Sequence, residues 1–175
     1  MKAEGAVVWV TGLPASGKST FARRIVERLD ALHRPTVLLD GDAVREALVP
    51  APGHDPAARA AFYETLGNLA LAIAADGRVA VVPATASLRA FRDRVRARAA
   101  RFVEVFVDVP ADVCAARDPK GLWALARAGG APELPGAGAP YEPPLSPEVV
   151  ARGGEDEAAL AAAMAALLRA CGLRP

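Results

Sequence analysis

The feature that most constrains this chain is a glycine-rich loop of fixed spacing near its start. The run Gly12-Leu13-Pro14-Ala15-Ser16-Gly17-Lys18-Ser19 matches the pattern G-x-x-x-x-G-K-[ST]. Glycines let backbone N–H groups converge on phosphate, and the start of the following helix adds partial positive charge. In such a loop Lys18 reaches the β- and γ-phosphates of ATP, and the Ser19 hydroxyl ligates Mg²⁺. The loop and the adjacent Thr20 are therefore the predicted ATP site, with Lys18 catalytic.

The residues around the loop have the context that such a loop requires. An apolar, β-branched run over Ala6–Thr11 predicts a buried strand before it. Apolar residues at helical spacing over Lys18–Leu32 predict a helix after it, and Thr36–Leu39 predicts a second strand. This order of strand, loop, helix and strand is a βαβ unit and indicates a parallel sheet.

The remaining pattern extends the alternation of helices and strands to the end of the chain. The loop with the most Gly and Pro lies over 129–147, and too few residues follow it to form a second domain. We predict one α/β domain over 1–175, a P-loop NTPase three-layer sandwich with a central parallel sheet, helices on both faces and a small lid. The further predicted helices are 43–48, 57–75, 88–99, 111–116, 122–128 and 155–171, and the further strands are 79–82, 102–107 and 148–151.

Composition argues against several other classes of protein. The formal net charge is +1, which gives no reason to expect nucleic acid or a membrane surface as a partner. The two cysteines, Cys114 and Cys171, form no disulfide framework or zinc motif. No signal-peptide pattern is present, and charges interrupt every apolar run before about 18 residues. We therefore expect a cytoplasmic protein without a membrane span.

The motifs also separate the classes that share this phosphate loop. A GTPase should carry D-x-x-G after a strand and a later N-K-x-D, and the chain has neither in that context. Motor and transporter ATPases are usually longer and carry an acid after a strand of four apolar residues. A small chain with an arginine-bearing, glycine-flanked segment near its end favours a kinase of small molecules.

A second group of candidate residues follows the predicted second strand. Asp42 lies at the carboxyl end of that strand, where open parallel sheets bind ligands. It is placed to accept the proton of an attacking hydroxyl or to hold Mg²⁺ through water, although an Asp here is also typical of a helix N-cap. Arg45 is suited to forking onto a phosphate or sulfate, or else lies on a solvated helix face. Arg59 is either an anion ligand or a surface charge.

These segments together resemble the adenylylsulfate kinase (APS kinase) family. The resemblance rests on the phosphate loop and on three further segments: Leu39-Asp40-Gly41-Asp42-Ala43-Val44-Arg45, Arg117-Asp118-Pro119-Lys120-Gly121-Leu122-Trp123 with Ala126-Arg127-Ala128-Gly129, and Pro140-Tyr141-Glu142-Pro143. It extends from about residue 7 to about residue 150. The phosphate loop is generic, whereas the later segments are specific to the family.

The resemblance implies a reaction in sulfate activation and a set of roles. ATP and adenylyl sulfate would give ADP and 3′-phosphoadenylyl sulfate, with Asp42 near the 3′-hydroxyl. Arg45, Arg59 and Lys120 would bind the acceptor. Arg117, Lys120 and Arg127 would belong to a lid within about residues 115–146 that excludes water from the phosphates, with Arg117 also near ATP. The family also implies a homodimer.

The chain departs from the family at the acceptor site. His54 stands where a stacking Phe is usual, Phe62 stands where an Asn is usual, and Ala86 replaces a serine that can be phosphorylated. A loop that normally carries K-x-F-T-G-x-D here has Pro132, Leu134 and Gly138 at its Lys, Phe and Asp positions. Stacking of a base on an aromatic ring contributes about 1–3 kcal/mol. We expect His54 and Phe62 to replace lost aromatic contacts and Leu134 to add an apolar one.

Three readings of function follow from the residues. The first is an APS kinase. The second is a kinase of the same fold with a different phosphate-bearing acceptor, because the changes lie on the acceptor side. The third is a nucleotide-binding protein without activity, against which the intact Lys18, Ser19 and Asp42 argue.

Overall fold

The computed structural model describes residues 5–172, which form an α/β fold with five strands and seven helices within that range. The predicted elements all form, with ends within two residues of those expected, except that the helix predicted over 88–99 ends at Arg96, three residues early. The strands are β1 Ala6–Gly12, β2 Thr36–Leu38, β3 Val79–Pro83, β4 Phe102–Val107 and β5 Val149–Ala151. The helices are α1 Lys18–Ala31, α2 Gly41–Ala47, α3 Pro56–Ala75, α4 Arg89–Arg96, α5 Ala111–Arg117, α6 Leu122–Arg127 and α7 Glu157–Ala170.

The five strands form one parallel sheet in the order β2-β3-β1-β4-β5. β1 lies at the centre, between β3 and β4, and every one of its residues is buried. Because all strands are parallel, their carboxyl ends lie along one edge of the sheet. That edge carries the loop after β1 and the start of α2, so the phosphate loop and the Asp42 segment converge there, as the sequence predicts.

Helices cover both faces of the sheet, which confirms the predicted three layers. Alternate residues of β1 point to opposite faces, as the pleat of a strand requires. Val8 and Val10 pack in the core with α1 and α7. Val7 and Trp9 pack in the core with α3 and α4. Continuous apolar strands of this kind are expected of a parallel sheet that is covered on both sides.

One ion pair lies within the second of these cores, between α4 and β4. The Arg92 side chain is 1% exposed, and its Nε donates to Glu104 Oε1 at 2.8 Å. The same guanidinium donates to the backbone oxygens of Ala86 and Glu142. It therefore ties the turn after β3 and the segment that returns from the lid to the sheet. The helical period that predicted α4 does not distinguish this buried arginine from its exposed neighbours.

The described helices do not include a membrane span. None of those found between residues 5 and 172 combines the length and the apolar character needed to cross a bilayer. The longest, α3, has 20 residues but carries Arg59 and Glu64 and is covered on one side by the sheet. This agrees with the interrupted apolar runs of the sequence.

We expect Arg92→Met to lower the free energy of unfolding by about 3–5 kcal/mol, because it leaves the buried Glu104 carboxylate without its nearest cation. Equilibrium unfolding in urea measures this change. The control is Arg94→Ala, since Arg94 faces Glu64 at 3.9 Å with both side chains half exposed. Its loss should change the same free energy by less than about 1 kcal/mol. Equal, small effects of the two variants would contradict the role of the buried pair.

Candidate functional site

The phosphate loop joins the end of β1 to the start of α1. Gly17 has φ 100°, in the left-handed region that favours glycine, and it directly precedes the first turn of α1. The loop is closed by a hydrogen bond from Ser16 N to Leu13 O at 3.1 Å. Trp123 of α6 donates from Nε1 to Pro14 O at 3.1 Å, so the lid segment contacts the loop directly. This arrangement leaves the first N–H groups of α1 available to an anion.

A second glycine-rich segment packs against this loop. A Cβ atom added to Gly154 would lie 2.9 Å from Gly17 O and 2.8 Å from Thr20 Cβ. A Cβ added to Gly17 would lie 2.7 Å from Gly154 N. These approaches leave no room for a side chain at Gly17 or Gly154, and residues 153–154 line the cleft beside the loop.

The Lys18 side chain forms a hydrogen bond to the backbone of its own phosphate loop. Its Nζ donates to Leu13 O at 2.7 Å. Desolvation by the surrounding protein lowers the pKa of Lys18 to about 8, against the opposing effect of the negative charge of Asp42. The ammonium is thus charged at neutral pH but sits in an environment that favours its neutral form. An anion bound beside it would restore the missing stabilisation.

Ser19 contacts an acid that the sequence analysis did not assign to the site. Ser19 Oγ donates to Asp40 Oδ2 at 3.1 Å. Asp40 is also the N-cap of α2, because its Oδ1 accepts from Asp42 N at 3.0 Å. The N-cap interpretation of Asp42 is therefore wrong: the cap is Asp40, two residues earlier, and Asp42 lies in the first turn with its carboxylate in the cleft. The position of Asp40 at the end of β2 was the available signal.

Asp42 forms an ion pair with the lid. Lys120 Nζ lies 2.5 Å from Asp42 Oδ2, and both side chains are exposed. The hydrogen bond to Asp42 raises the pKa of Lys120. The Asp42 carboxylate thus contacts Lys120 directly, and its negative charge also acts on Lys18.

Positive charge is concentrated at the other end of the cleft. Arg45 and Arg59 both line it, together with the exposed His54. Desolvation, followed by the charges of Arg45 and Arg59, lowers the pKa of His54, so its imidazole is neutral at pH 7. This end of the cleft carries two cations beside one neutral ring and is suited to an anionic ligand.

Two apolar side chains at this end of the cleft already contact other groups of the protein. The centre of the Arg45 guanidinium lies 4.0 Å from the centroid of the Phe62 ring, and that ring is buried. Leu134 lines the cleft but is also buried against the core beneath the lid. Arg45 thus already contacts the π-face of Phe62.

The predicted lid, about residues 115–146, comprises the end of α5, the turn after it, α6 and the loop that follows. Asp118 lies in that turn, and its carboxylate accepts from Trp123 N at 3.0 Å and from Ala124 N at 2.9 Å, which fixes the start of α6. Arg117 and Lys120 line the cleft, on the side facing the phosphate loop and Asp42. Arg127 is not among the described residues that line it.

The structure brings most of the predicted site residues into one cleft of about 1180 Å³. Three of the predicted loop residues, Gly12, Leu13 and Ser16, are not among its lining residues. The buried Ser16 Oγ has no hydrogen-bond partner among residues 5–172. Apart from these three and Arg127, the predicted site residues line the cleft: Pro14, Ala15, Gly17, Lys18, Ser19, Thr20, Asp42, Arg45, His54, Arg59, Phe62, Arg117, Lys120 and Leu134.

Several other cleft residues were not predicted from the sequence. They include Asp40, Trp123 and the segment 152–156, which follows β5. Gly154 was a signal for close backbone approach. Ala86, Pro132 and Gly138, where the sequence departs from the family pattern, lie outside the cleft lining, and Ala86 is fully buried in a turn with φ 40°. No cluster of three or more His, Cys, Asp or Glu side chains suited to a metal occurs among residues 5–172.

Comparison with known proteins gives a consistent result. The family model for adenylylsulphate kinase matches residues 4–152. The chain is 41% identical to an adenylyl-sulfate kinase of Synechococcus sp. (strain JA-3-3Ab), over 89% of this chain and 88% of that protein. It is 44% identical to an adenylyl-sulfate kinase of Citrobacter koseri, over 95% of this chain and 84% of that protein.

A solved structure extends the similarity to the fold. It is that of the Mycobacterium tuberculosis APS kinase CysC in complex with AMPPNP and APS. The two chains are 36% identical, with a TM-score of 0.85 over 94% of this chain and 98% of the other. The predicted P-loop NTPase fold is thereby confirmed.

The lowered pKa of Lys18 predicts how ATP affinity depends on pH. ATP phosphates favour the charged ammonium, so the dissociation constant should be nearly constant below the pKa of about 8. Above it the affinity should fall, by roughly tenfold at pH 9, as Lys18 loses its proton in the free protein. Calorimetric titration with Mg-ATP between about pH 7.5 and 9.5 measures this dependence.

The matched variant for this measurement is Lys18→Arg, whose guanidinium stays charged throughout that range. Its affinity for ATP should vary little with pH, whatever its absolute value. A wild-type affinity that is as flat as that of the arginine variant would show that Lys18 keeps an ordinary pKa.

Proposed function

Because the chain belongs to the adenylylsulphate kinase family, we propose that it transfers the terminal phosphate of ATP to the 3′-hydroxyl of adenylyl sulfate. A bond forms between the hydroxyl oxygen and the γ-phosphorus, the bond from that phosphorus to ADP breaks, and the hydroxyl proton leaves. The products are ADP and 3′-phosphoadenylyl sulfate. One observation carries the proposal: the phosphate loop, Asp42 and the two arginines Arg45 and Arg59 line the same cleft.

At the donor end, we propose that the loop over 12–20 binds the ATP phosphates. The N–H groups that begin α1 have no partners within the helix and favour an anion. Lys18 and the lid residue Arg117 supply positive charge where charge develops on the transferred group. Trp123 supports this arrangement from the lid by its hydrogen bond to Pro14 O.

The residues present fit a magnesium ion. Mg²⁺ prefers oxygen ligands and usually keeps several waters, so one or two protein oxygens suffice. The Ser19 hydroxyl and the Asp40 carboxylate lie within hydrogen-bond distance of each other beside the loop. We propose Ser19 as a direct ligand and Asp40 as its partner. When bound, the ion would neutralise charge on the phosphates and orient them.

Asp42 is the proposed general base or orienting group for the acceptor hydroxyl. Its carboxylate is exposed in the cleft between the loop and the arginine end. The same carboxylate forms an ion pair with Lys120. We propose that acceptor binding exchanges this contact for the 3′-hydroxyl and that Lys120 then contacts the acceptor from the lid.

Arg45 and Arg59 are the proposed ligands of the phosphate and sulfate groups of the acceptor. A guanidinium presents paired donors that match such anions. His54 and Leu134 form the proposed surroundings of its base, and Phe62 lies against Arg45. Arg127 stays a proposed lid residue that acts outside the cleft, and closure of the lid would exclude water that otherwise hydrolyses ATP.

ATP as donor and the dimerisation implied by the family suggest two further proposals. We propose that the enzyme works in the cytoplasm, where ATP is available, and that it forms a homodimer. Fractionation of cells and sedimentation of the purified protein test these two points separately.

The proposed reaction predicts ADP release that requires both substrates. With Mg-ATP and micromolar adenylyl sulfate, a coupled ADP assay should show turnover well above the hydrolysis of ATP alone. Asp42→Asn should lower kcat by about 10²–10⁴-fold and leave ATP affinity within about threefold, because the change removes the base but keeps its size.

The control is Asp93→Asn, an exposed carboxylate on α4 outside the cleft, which should keep wild-type rates. Protein that binds ATP but shows no turnover with adenylyl sulfate would overturn the proposed acceptor. Turnover with another phosphate-bearing hydroxyl compound would then identify a kinase of the same fold with a changed acceptor. Unchanged kcat in Asp42→Asn would remove Asp42 from its proposed role.

A further inference from the structure

The acceptor end of the cleft contains a stacked pair that belongs to the protein alone. The guanidinium centre of Arg45 lies 4.0 Å from the Phe62 ring centroid, within the distance of a cation–π contact. Phe62 is 3% exposed and is held by an edge-to-face contact with Tyr63, whose ring lies 5.3 Å away. The buried ring therefore has a fixed position, and the longer Arg45 side chain packs against its face.

Two backbone oxygens restrain the same guanidinium in a second direction. Nη1 of Arg45 donates to Gly53 O at 2.9 Å and to Pro52 O at 3.2 Å. Both oxygens belong to the loop that precedes α3. The ring and the loop together define where the guanidinium lies, although the arginine side chain itself is long and flexible.

The remaining donors of Arg45 are free for a ligand. Within residues 5–172 the structure shows no hydrogen bond from Nε or Nη2 of Arg45 to the protein. Arg45 lines the cleft with Arg59 and His54. Nε and Nη2 together form one edge of a guanidinium, the kind of paired donor that matches two oxygens of a phosphate or sulfate.

We propose that Phe62 is a positioning residue that holds the Arg45 guanidinium in the orientation that binds the anionic group of the acceptor. This inference rests on the proposed function, since it names how that same site is built. The buried ring acts through Arg45 and not through the acceptor base, because Arg45 covers its face. Desolvation in this position also strengthens the attraction between Arg45 and an anion.

Phe62→Leu keeps an apolar side chain but removes the π-face, so it tests the role of the ring. We expect the KM for adenylyl sulfate to rise by roughly threefold to thirtyfold, the range that a partly buried cation–π contact spans. The kcat should stay within about twofold and the KM for ATP should not change. Phe62→Tyr retains the π-face and should restore most of the acceptor affinity.

The matched control is another arginine–phenylalanine pair in the same chain. The Arg96 guanidinium lies 4.7 Å from the Phe102 ring centroid, and neither residue lines the cleft. Phe102→Leu should leave both KM values unchanged. A rise in the acceptor KM of Phe102→Leu equal to that of Phe62→Leu would show a general effect of a weakened core.

A double-mutant cycle distinguishes an effect through Arg45 from a direct contact with the acceptor. In an Arg45→Ala background, Phe62→Leu should cause no further loss of acceptor affinity. Losses that multiply would overturn the positioning role. Thermal unfolding checks that each variant is folded, and Phe62→Met, a more adaptable side chain without a ring, replaces the leucine variant if that one unfolds.

Calorimetric titration with adenylyl sulfate separates this inference from the proposed reaction. Wild-type protein that binds adenylyl sulfate without turnover would contradict the reaction, and a weaker dissociation constant in Phe62→Leu would still support the role of the ring. Wild-type turnover with an unchanged dissociation constant in Phe62→Leu would overturn the role of the ring alone. Wild-type protein that binds no adenylyl sulfate would overturn both.

Discussion

The cation of Lys18, partly desolvated by the loop around it, is the constraint on which the rest of the site depends. A loop can hold it only if its backbone is fixed, and three separate parts of the chain fix that backbone. β1 enters from the centre of the sheet, Gly154 packs on Gly17, and Trp123 donates to Pro14 O. Burying this charge costs stability in the free protein, and binding of the ATP phosphates offsets that cost. Part of the affinity for ATP therefore comes from relieving the unfavourable desolvation of the Lys18 ammonium.

The charged side chains on the two sides of the cleft share one requirement. Each must be held in place by the protein and still be able to bind an anion. Lys120 pairs with Asp42 across the cleft, so each of these two charges has a partner within the protein. At the acceptor end, Arg45 is held by a ring and two carbonyl oxygens and not by a carboxylate. A carboxylate partner would compete with an anionic ligand, whereas a ring and carbonyl oxygens fix the position and leave the charge uncancelled.

The sequence predicts the fold and the nucleotide loop well because both depend on local patterns. β-branched runs predict the strands, and the spacing of Gly12, Gly17 and Lys18 predicts the loop. The contacts that shape the acceptor end are set by tertiary packing. That Arg45 lies on Phe62 depends on where two chain segments meet, whereas the capping of α2 by Asp40 is a local contact for which the sequence held a signal. Arg92 makes the same point, because the period that predicts α4 does not show that this one arginine reaches Glu104.

The substitutions at the acceptor end need not weaken binding, because affinity depends on positioned charge as well as on stacking. A ring that stacks on a base contributes directly to the complex, but a ring beneath an arginine contributes by reducing the freedom of that arginine before binding. Phe62 is buried and fixed, so the entropy that Arg45 would lose on binding is already lost in the free protein. On this argument the chain can replace part of an aromatic contact with a pre-organised cation, and its preference would then depend more on the anionic groups of the acceptor than on its base.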